Sequence, residues 1–254
     1  MEESLAITNL LNRLFAGPVD ALLLWMGIHP ENTAAPFNDT FSIELLVVLG
    51  FIAFFVLVRA SLSVEKPSTI QHMAELVHEF IGGQAEAIIG PNYQRFQSFV
   101  TCIFLFVLTC NLLGLIPGLH APTQDAVVPL GLATAVFLYY NFYGFKDLGV
   151  IGYLKHFAGP VWWIAWLLFP IEVISNVARI MSLTIRLWAN MFAGDLVTLV
   201  FFSLIPALVP VVFLALHILV SLVQALVFTL LPMIYLSQVV AHDHGHGHEP
   251  AHAH

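Results

Sequence analysis

The sequence predicts an all-α membrane protein of about five transmembrane helices, the last two long and steeply tilted, plus amphipathic helices on the membrane surface. Composition is the first reason. Hydrophobic residues make up 59% of the chain and charged residues 9%, and mean hydropathy is +0.88. A soluble chain of 254 residues needs far more charge than that to cover a globule. The second reason is that the apolar residues fall into runs long enough to cross a hydrocarbon core of about 30 Å. The third is the length of the last two runs, about 162–205 and 206–240. The formal charge of −8 sits mostly in termini and loops and offers no basic patch, so nucleic acid is not an expected partner.

Residues 1–40 form an N-terminal external segment, mixed and turn-rich, with Pro18, Pro30 and Pro36. The apolar patch from Ala21 to Met26 is too short to span and is expected on the membrane surface. The first residues lack the charged-apolar-small pattern of a cleavable signal, so the first spanning helix is expected to direct insertion and remain. That span covers about 41–62 and carries Arg59 near its end. In KPSTIQHMAELVHEFIGGQ, Ile70, Met73, Leu76, Val77 and Phe80 recur at helical spacing, with Gln71, His72, Glu75 and His78 between them. Ser68 and Gln71 read as a capping box and Gly82-Gly83 as a stop, which defines a surface helix over about 68–82.

A second span, about 96–116, closes with NLLGLIPG, and the polar turn HAPTQD leads into a third, about 126–145. The connection KDLGVIGYLKHFAGP follows, short enough to dip into the interface. Two long spans and the His-rich tail HDHGHGHEPAHAH over 241–254 complete the chain. The membrane domain is thus 41–240. Cys102 and Cys110 would lie about 12 Å apart along one helix, beyond disulfide reach.

Arg59, Lys66, Arg95, Lys146 and Lys155 all fall on one side of this arrangement and Arg13 alone on the other. The positive-inside rule then places the N-terminus outside and the C-terminus in the cytoplasm. From Pro170 to Ser203 a helix would be about 50 Å long against a core of about 30 Å, which calls for a tilt of about 50°. Two such helices suit a protein lying along the flank of a partner.

The chemistry concentrates in FPIEVISNVARIMSLTIRLWANMFAGDLVTLVF. Glu172, Ser175, Asn176, Arg179, Ser182, Arg186 and Asn190 are spaced by three and four, a polar stripe on an otherwise apolar rod. A charge at mid-membrane costs about 2.5–3.5 kcal/mol on the insertion scale. Arg186 has no acid of its own helix one turn away, and the last span opposes it with His217, Ser221 and Gln224, none anionic. Its counter-charge is therefore expected on another chain. Arginine does not release its proton at accessible pH, so it acts as a fixed cation rather than a relay. His217 and Asp195 titrate and fall towards the outer half, where they are candidates for an entry path. Asp195 lies nine residues past Arg186, on the opposite side of the helix and nearer the outer face. Glu172, Ser175, Asn176 and Arg179 fall towards the cytoplasmic half and are candidates for an exit.

These residues also carry a family resemblance. RLWANMFAGDLV resembles the most characteristic motif of the subunit a family of F-type ATP synthases, usually seen as an Arg-Leu, an Asn-Met and an Ala-Gly-acid. NLLGLIPG and APTQD resemble that family's second-span ending and the turn before its third span, and HILVSLVQALVFTLLPMIYLS its last helix. The resemblance covers about residues 40–240. It implies that Arg186 is the essential arginine and Asn190 the asparagine that follows it. Gln224 would be the glutamine facing that arginine, and His217 and Asp195 the entry-path positions. Many members carry Glu where this chain has Asp195. The implied partners are a ring of small membrane subunits carrying an intramembrane carboxylate, a peripheral-stalk subunit and the bilayer, in a bacterial plasma (inner) membrane. The implied cargo is a proton, with sodium as the alternative set by the ring's own site.

Blander readings stand beside these. Arg179 can snorkel to the interface, and Asn190, Ser175 and Asn176 can serve helix packing. His217 can be a satisfied core histidine. Glu44 and Asp125 cap span ends, and Asn111 packs. The tail has incidental metal affinity only. No cofactor is predicted, and the absence of a GxxxxGK loop assigns nucleotide chemistry to other chains. An ion-coupled secondary transporter would show related halves and interrupted helices, and a haem-holding redox subunit would show paired histidines within spans. Neither pattern is present.

Overall fold

The computed structural model describes residues 6–25, 39–60, 69–116, 121–158, 165–204 and 209–240, with no strand among them. The elements are α1 (Ala6–Trp25), α2 (Asp39–Ala60), α3 (Thr69–Ile89), α4 (Gln94–Leu113), a 3-10 turn (Pro122–Gln124), α5 (Val127–Ala158), α6 (Ala165–Leu204) and α7 (Val209–Val240). Five stretches are long and apolar enough to cross a membrane: Asp39–Arg59, Gln94–Leu113, Val127–Lys146, Trp166–Phe201 and Val211–Ser237. The protein is an all-α membrane protein, as its composition demands.

The order of burial sets the architecture. In the most apolar part of α4, 44% of residues are buried within the chain, against 17% in α2 and 18% in α6. Helix α4 is therefore the hub, and α2 and α6 leave most of their surface to lipid or partners. The central packing joins Phe96, Val100 and Val107 of α4 to Val136 of α5, Leu187 of α6 and Phe228 of α7, each 2% exposed or less. Exposed Leu, Val, Ile and Phe line the outside, the arrangement expected where the solvent is hydrocarbon.

Two local expectations are corrected. The N-terminal stretch read as turn-rich is helical from Ala6 to Trp25, with Pro18 inside it, and the Thr8 hydroxyl donates to Asp39 Oδ1 at 2.5 Å, tying α1 to α2. Met26, Pro30 and Pro36 lie outside the described residues. Gly82-Gly83 does not stop α3, which runs on to Ile89 and ends before Gly90 at φ +88°. Gly82 serves packing instead. A Cβ on Gly82 would run into the Gln97 amide, whose Nε2 donates to the His78 carbonyl at 2.9 Å. Helix α3 packs on α4 and α7 through Ile81, Ala85 and Ile89, while Met73, Leu76 and Phe80 face outward. Ser68, the expected cap, lies outside the described residues.

The turn between α4 and α5 is pinned from within. Thr123 Oγ1 donates to Asn111 Oδ1 at 2.8 Å, and Asn111 Nδ2 donates to the Ser221 carbonyl at 3.5 Å. Asn111 thus joins the turn to α7. Helix α5 breaks at Gly149 (φ 70°, ψ 162°), and the segment beyond is again helical to Ala158. The cysteines are free, Cys102 exposed and Cys110 buried.

Candidate functional site: a polar column between α6 and α7

Helices α6 and α7 run antiparallel in a fixed register. Arg179 pairs with Tyr235, Asn190 with Gln224, Gly194 with His217, and Phe201 with Phe213, so steps forward on α6 are steps back on α7. The pairing follows from where the small and polar residues fall. Leu183, Leu187 and Met191, spaced by four, enter the core, which leaves the intervening polar positions at the edge of the helix pair.

On one side of Arg186 the column is built around His217. The imidazole packs on Gly194, where an added Cβ would stand 3.3 Å from His217 Cε1. Glycine in that motif position therefore makes the berth for the ring. Asp195, half-buried, is the charged neighbour of His217. Asn190 Nδ2 donates to Gln224 Oε1 at 2.7 Å. Gln224 was expected opposite Arg186; its direct partner is Asn190, one turn further along α6. Along the same face of α7, His217 Nε2, Ser221 Oγ and Gln224 Nε2 are buried and have no hydrogen-bond partner among the described residues. Buried polar atoms ordinarily find partners, and these three stand in a row on one face of α7.

On the other side of Arg186 lies a three-helix cluster. The Tyr140 hydroxyl donates to Asn176 Oδ1 at 2.6 Å. The Arg179 guanidinium lies over the Tyr235 ring at 4.8 Å, and the two tyrosine rings are 5.8 Å apart. Ser175 is half-buried beside Asn176. Glu172 lies on α6, and its side chain is outside the described ones. The tyrosines were not anticipated, yet each left a signal. A hydroxyl in the apolar run YYNFYGF needs a partner, and Tyr235 follows Gln224 by eleven residues, about 20° round the same helix face.

Between the two groups stands Arg186 itself. It is half-buried, its Nη2 donates to Ser182 Oγ at 3.4 Å, and no described carboxylate pairs with it. Beside it α6 presents an open apolar face, with Ile174, Val177, Met181 and Ile185 each 47% exposed or more.

Fold and site together define a multi-span membrane protein with a fixed intramembrane cation and polar groups on either side of it, open along one flank. The family model of the ATP synthase A chain matches residues 41–237. ATP synthase subunit a of Koribacter versatilis is 48% identical over 244 residues, 96% of this chain and all of the relative. Subunit a of Solibacter usitatus is 45% identical over 92% of this chain and 99% of its own length, and that of Bdellovibrio bacteriovorus 42% over 69% and 77%. The chain belongs to the ATP synthase A chain family.

Proposed function

We propose that the chain is the stationary proton-translocating subunit of a rotary ATP synthase, holding two half-channels separated by Arg186. The observation that carries this is Arg186: a cation within a span, without a carboxylate among the described residues, beside an open apolar flank. A fixed charge there calls for a mobile counter-charge, and a ring of small subunits with an intramembrane carboxylate supplies one. A proton enters past His217, Asp195, Ser221 and Gln224 and protonates the ring carboxylate, which can then leave Arg186 for lipid. After nearly a full turn the carboxylate releases its proton into the path lined by Asn176, Arg179, Tyr140, Tyr235, Ser175 and Glu172. Arg186 keeps the arriving carboxylate ionised and repels protons, so the two paths never connect directly.

The cation distribution sets the direction of the paths: His217 and Asp195 towards the outside, Asn176 and Arg179 towards the cytoplasm of a bacterium. At about 150 mV the membrane potential supplies about 3.5 kcal/mol per charge moved. Helices of the length of α6, about 60 Å, must lie steeply across the bilayer, which brings a long flank against the ring. A peripheral-stalk subunit holds the chain still. Nucleotide chemistry belongs to other subunits.

The test is ATP-driven pumping and passive proton flux in vesicles carrying Arg186→Ala beside the unaltered complex. Loss of pumping with assembly intact is expected, with a rise in passive leak. Normal coupled pumping would remove Arg186 from the gate and reopen the transporter reading.

A further inference from the structure

Helix α6 carries a second cation on the Tyr140 side of Arg186. Arg179 stands seven residues before Arg186, about 10 Å along the helix and about 20° round it, so the two positions share one face. Ser182 lies between them and accepts from Arg186 Nη2 at 3.4 Å. Arg179 is half-buried, and its guanidinium turns into a seam of three helices. It lies over the Tyr235 ring of α7 at 4.8 Å. Tyr140 of α5, 4% exposed, is its polar neighbour and donates to Asn176 Oδ1. An arginine that only anchors a helix at the headgroups extends outward along apolar surface. This one is held inward by an aromatic face and a buried hydroxyl. Among the described residues no carboxylate pairs with it.

We propose that Arg179 is a second fixed cation of the exit path, which weakens the hold of a ring carboxylate on its proton while that carboxylate faces the cytoplasmic side. The proposal rests on the function proposed above and gives Arg179 a task separate from that of Arg186. Arg186 divides the two paths, whereas Arg179 acts on one of them. A positive charge favours the ionised form of a nearby carboxylate, and arginine takes no part in relaying the proton itself. A carboxylate beside the exit cluster is within about 10 Å of Arg179. One beside His217, which packs on Gly194, is about 22 Å away along the same helix. At an effective dielectric near 20, a unit charge about 10 Å away moves a proton equilibrium by about one pH unit. At about 22 Å the effect is about half of that before salt screens it further. The ring carboxylate thus meets a weaker proton affinity where it must unload than where it loads. The titratable and charged groups around Arg179 are Tyr140, Tyr235 and, two turns away on α6 in either direction, Glu172 and Arg186. Phenols stay neutral across the range tested below, which leaves Glu172 as the one acid to control for.

The test uses the whole complex in inverted vesicles, where the medium bathes the cytoplasmic face and the lumen is loaded at a chosen pH. Initial rates of ATP-driven pumping, divided by uncoupled ATP hydrolysis at the same pH, are recorded against medium pH and separately against lumen pH. In Arg179→Gln the carboxylate holds its proton more tightly at the exit. The midpoint of the medium profile should therefore rise by about one pH unit, with less than half that change in the lumen profile. Arg179→Met carries the same expectation should the glutamine variant fail to assemble. Arg179→Lys, which keeps the charge, should restore the original midpoint, and the shift should persist in a Glu172→Gln background. No shift, an equal shift on both sides, a shift with lumen pH alone, or a shift in Arg179→Lys as large as in Arg179→Gln overturns the proposal. Arg186→Ala, run beside these, separates the two readings. If it abolishes pumping while Arg179→Gln leaves the medium profile unmoved, only the second cation falls. If Arg186→Ala pumps normally, the gate on which the proposal rests falls with it.

Discussion

Gly194 is the residue on which the His217 end of the column turns. Its missing side chain leaves the space that the His217 ring fills, and a Cβ there would stand 3.3 Å from the ring. Gly194→Ala should therefore push the imidazole off its place beside Asp195. We expect proton pumping in vesicles to fall several-fold while the subunit still assembles, because the displacement is a few tenths of an ångström. Unchanged pumping and an unchanged pH profile would show that the placement of His217 does not matter to the entry path. The Asn190–Gln224 bond makes the second residue-scale prediction. Asn190→Ala leaves Gln224, 3% exposed, with its carbonyl oxygen unpaired as well as its amide, which costs about 1–3 kcal/mol. Thermal unfolding of the purified complex should show subunit loss at lower temperature than in Asn190→Gln, which can still donate. Sequence spacing alone placed Asn190 and Gln224 on facing stripes. It did not say that Asn190, rather than Arg186, would meet Gln224.

At the scale of elements, glycine marks different events in different helices. Gly82 leaves room for the Gln97 amide of α4, so Gly82→Val should swing that side chain off the His78 carbonyl and lower the melting temperature of the subunit. A smaller effect is expected for Gly83→Val, whose added Cβ meets nothing within 4 Å. Gly149 is another matter. Its φ of 70° with ψ 162° is backbone that side-chain-bearing residues avoid, at about 1–3 kcal/mol. Gly149→Ala should straighten α5 beyond Lys146 or destabilise it, readable as altered proteolysis of the 147–160 segment. The Gly82-Gly83 pair read as a helix stop from the chain alone. A glycine pair has the same local signature whether it ends a helix or lets two helices approach, and only the neighbour decides.

For the whole molecule, the proposed orientation makes a direct prediction. In a Cys102→Ser background, Arg13→Cys should react with a membrane-impermeant maleimide from outside the cell, and Lys146→Cys only in inverted vesicles. The opposite pattern would exchange the two half-channels and reverse the roles of His217 and Asn176. The burial pattern carries the second whole-molecule point. In the most apolar part of α6 only 18% of residues are buried in the chain, about as few as the 17% in α2, so most of its surface meets lipid or a partner, and the proposed function assigns that open flank to a rotating ring.

The sequence by itself determined that this is a helical membrane protein, because runs of apolar residues long enough to cross a bilayer admit few other solutions. It also marked Arg186 as the cation to explain, since a charge so placed is too costly to be idle, and it assembled the polar stripe by simple helical periodicity. Tertiary structure decided the partners. It sent Asn176 to Tyr140, Arg179 to Tyr235 and Asn190 to Gln224, and carried α3 past its glycines into the bundle. Periodicity describes one helix at a time, whereas register between helices is set by which small side chains let two backbones approach. That information lies in the pair and not in either strand of sequence.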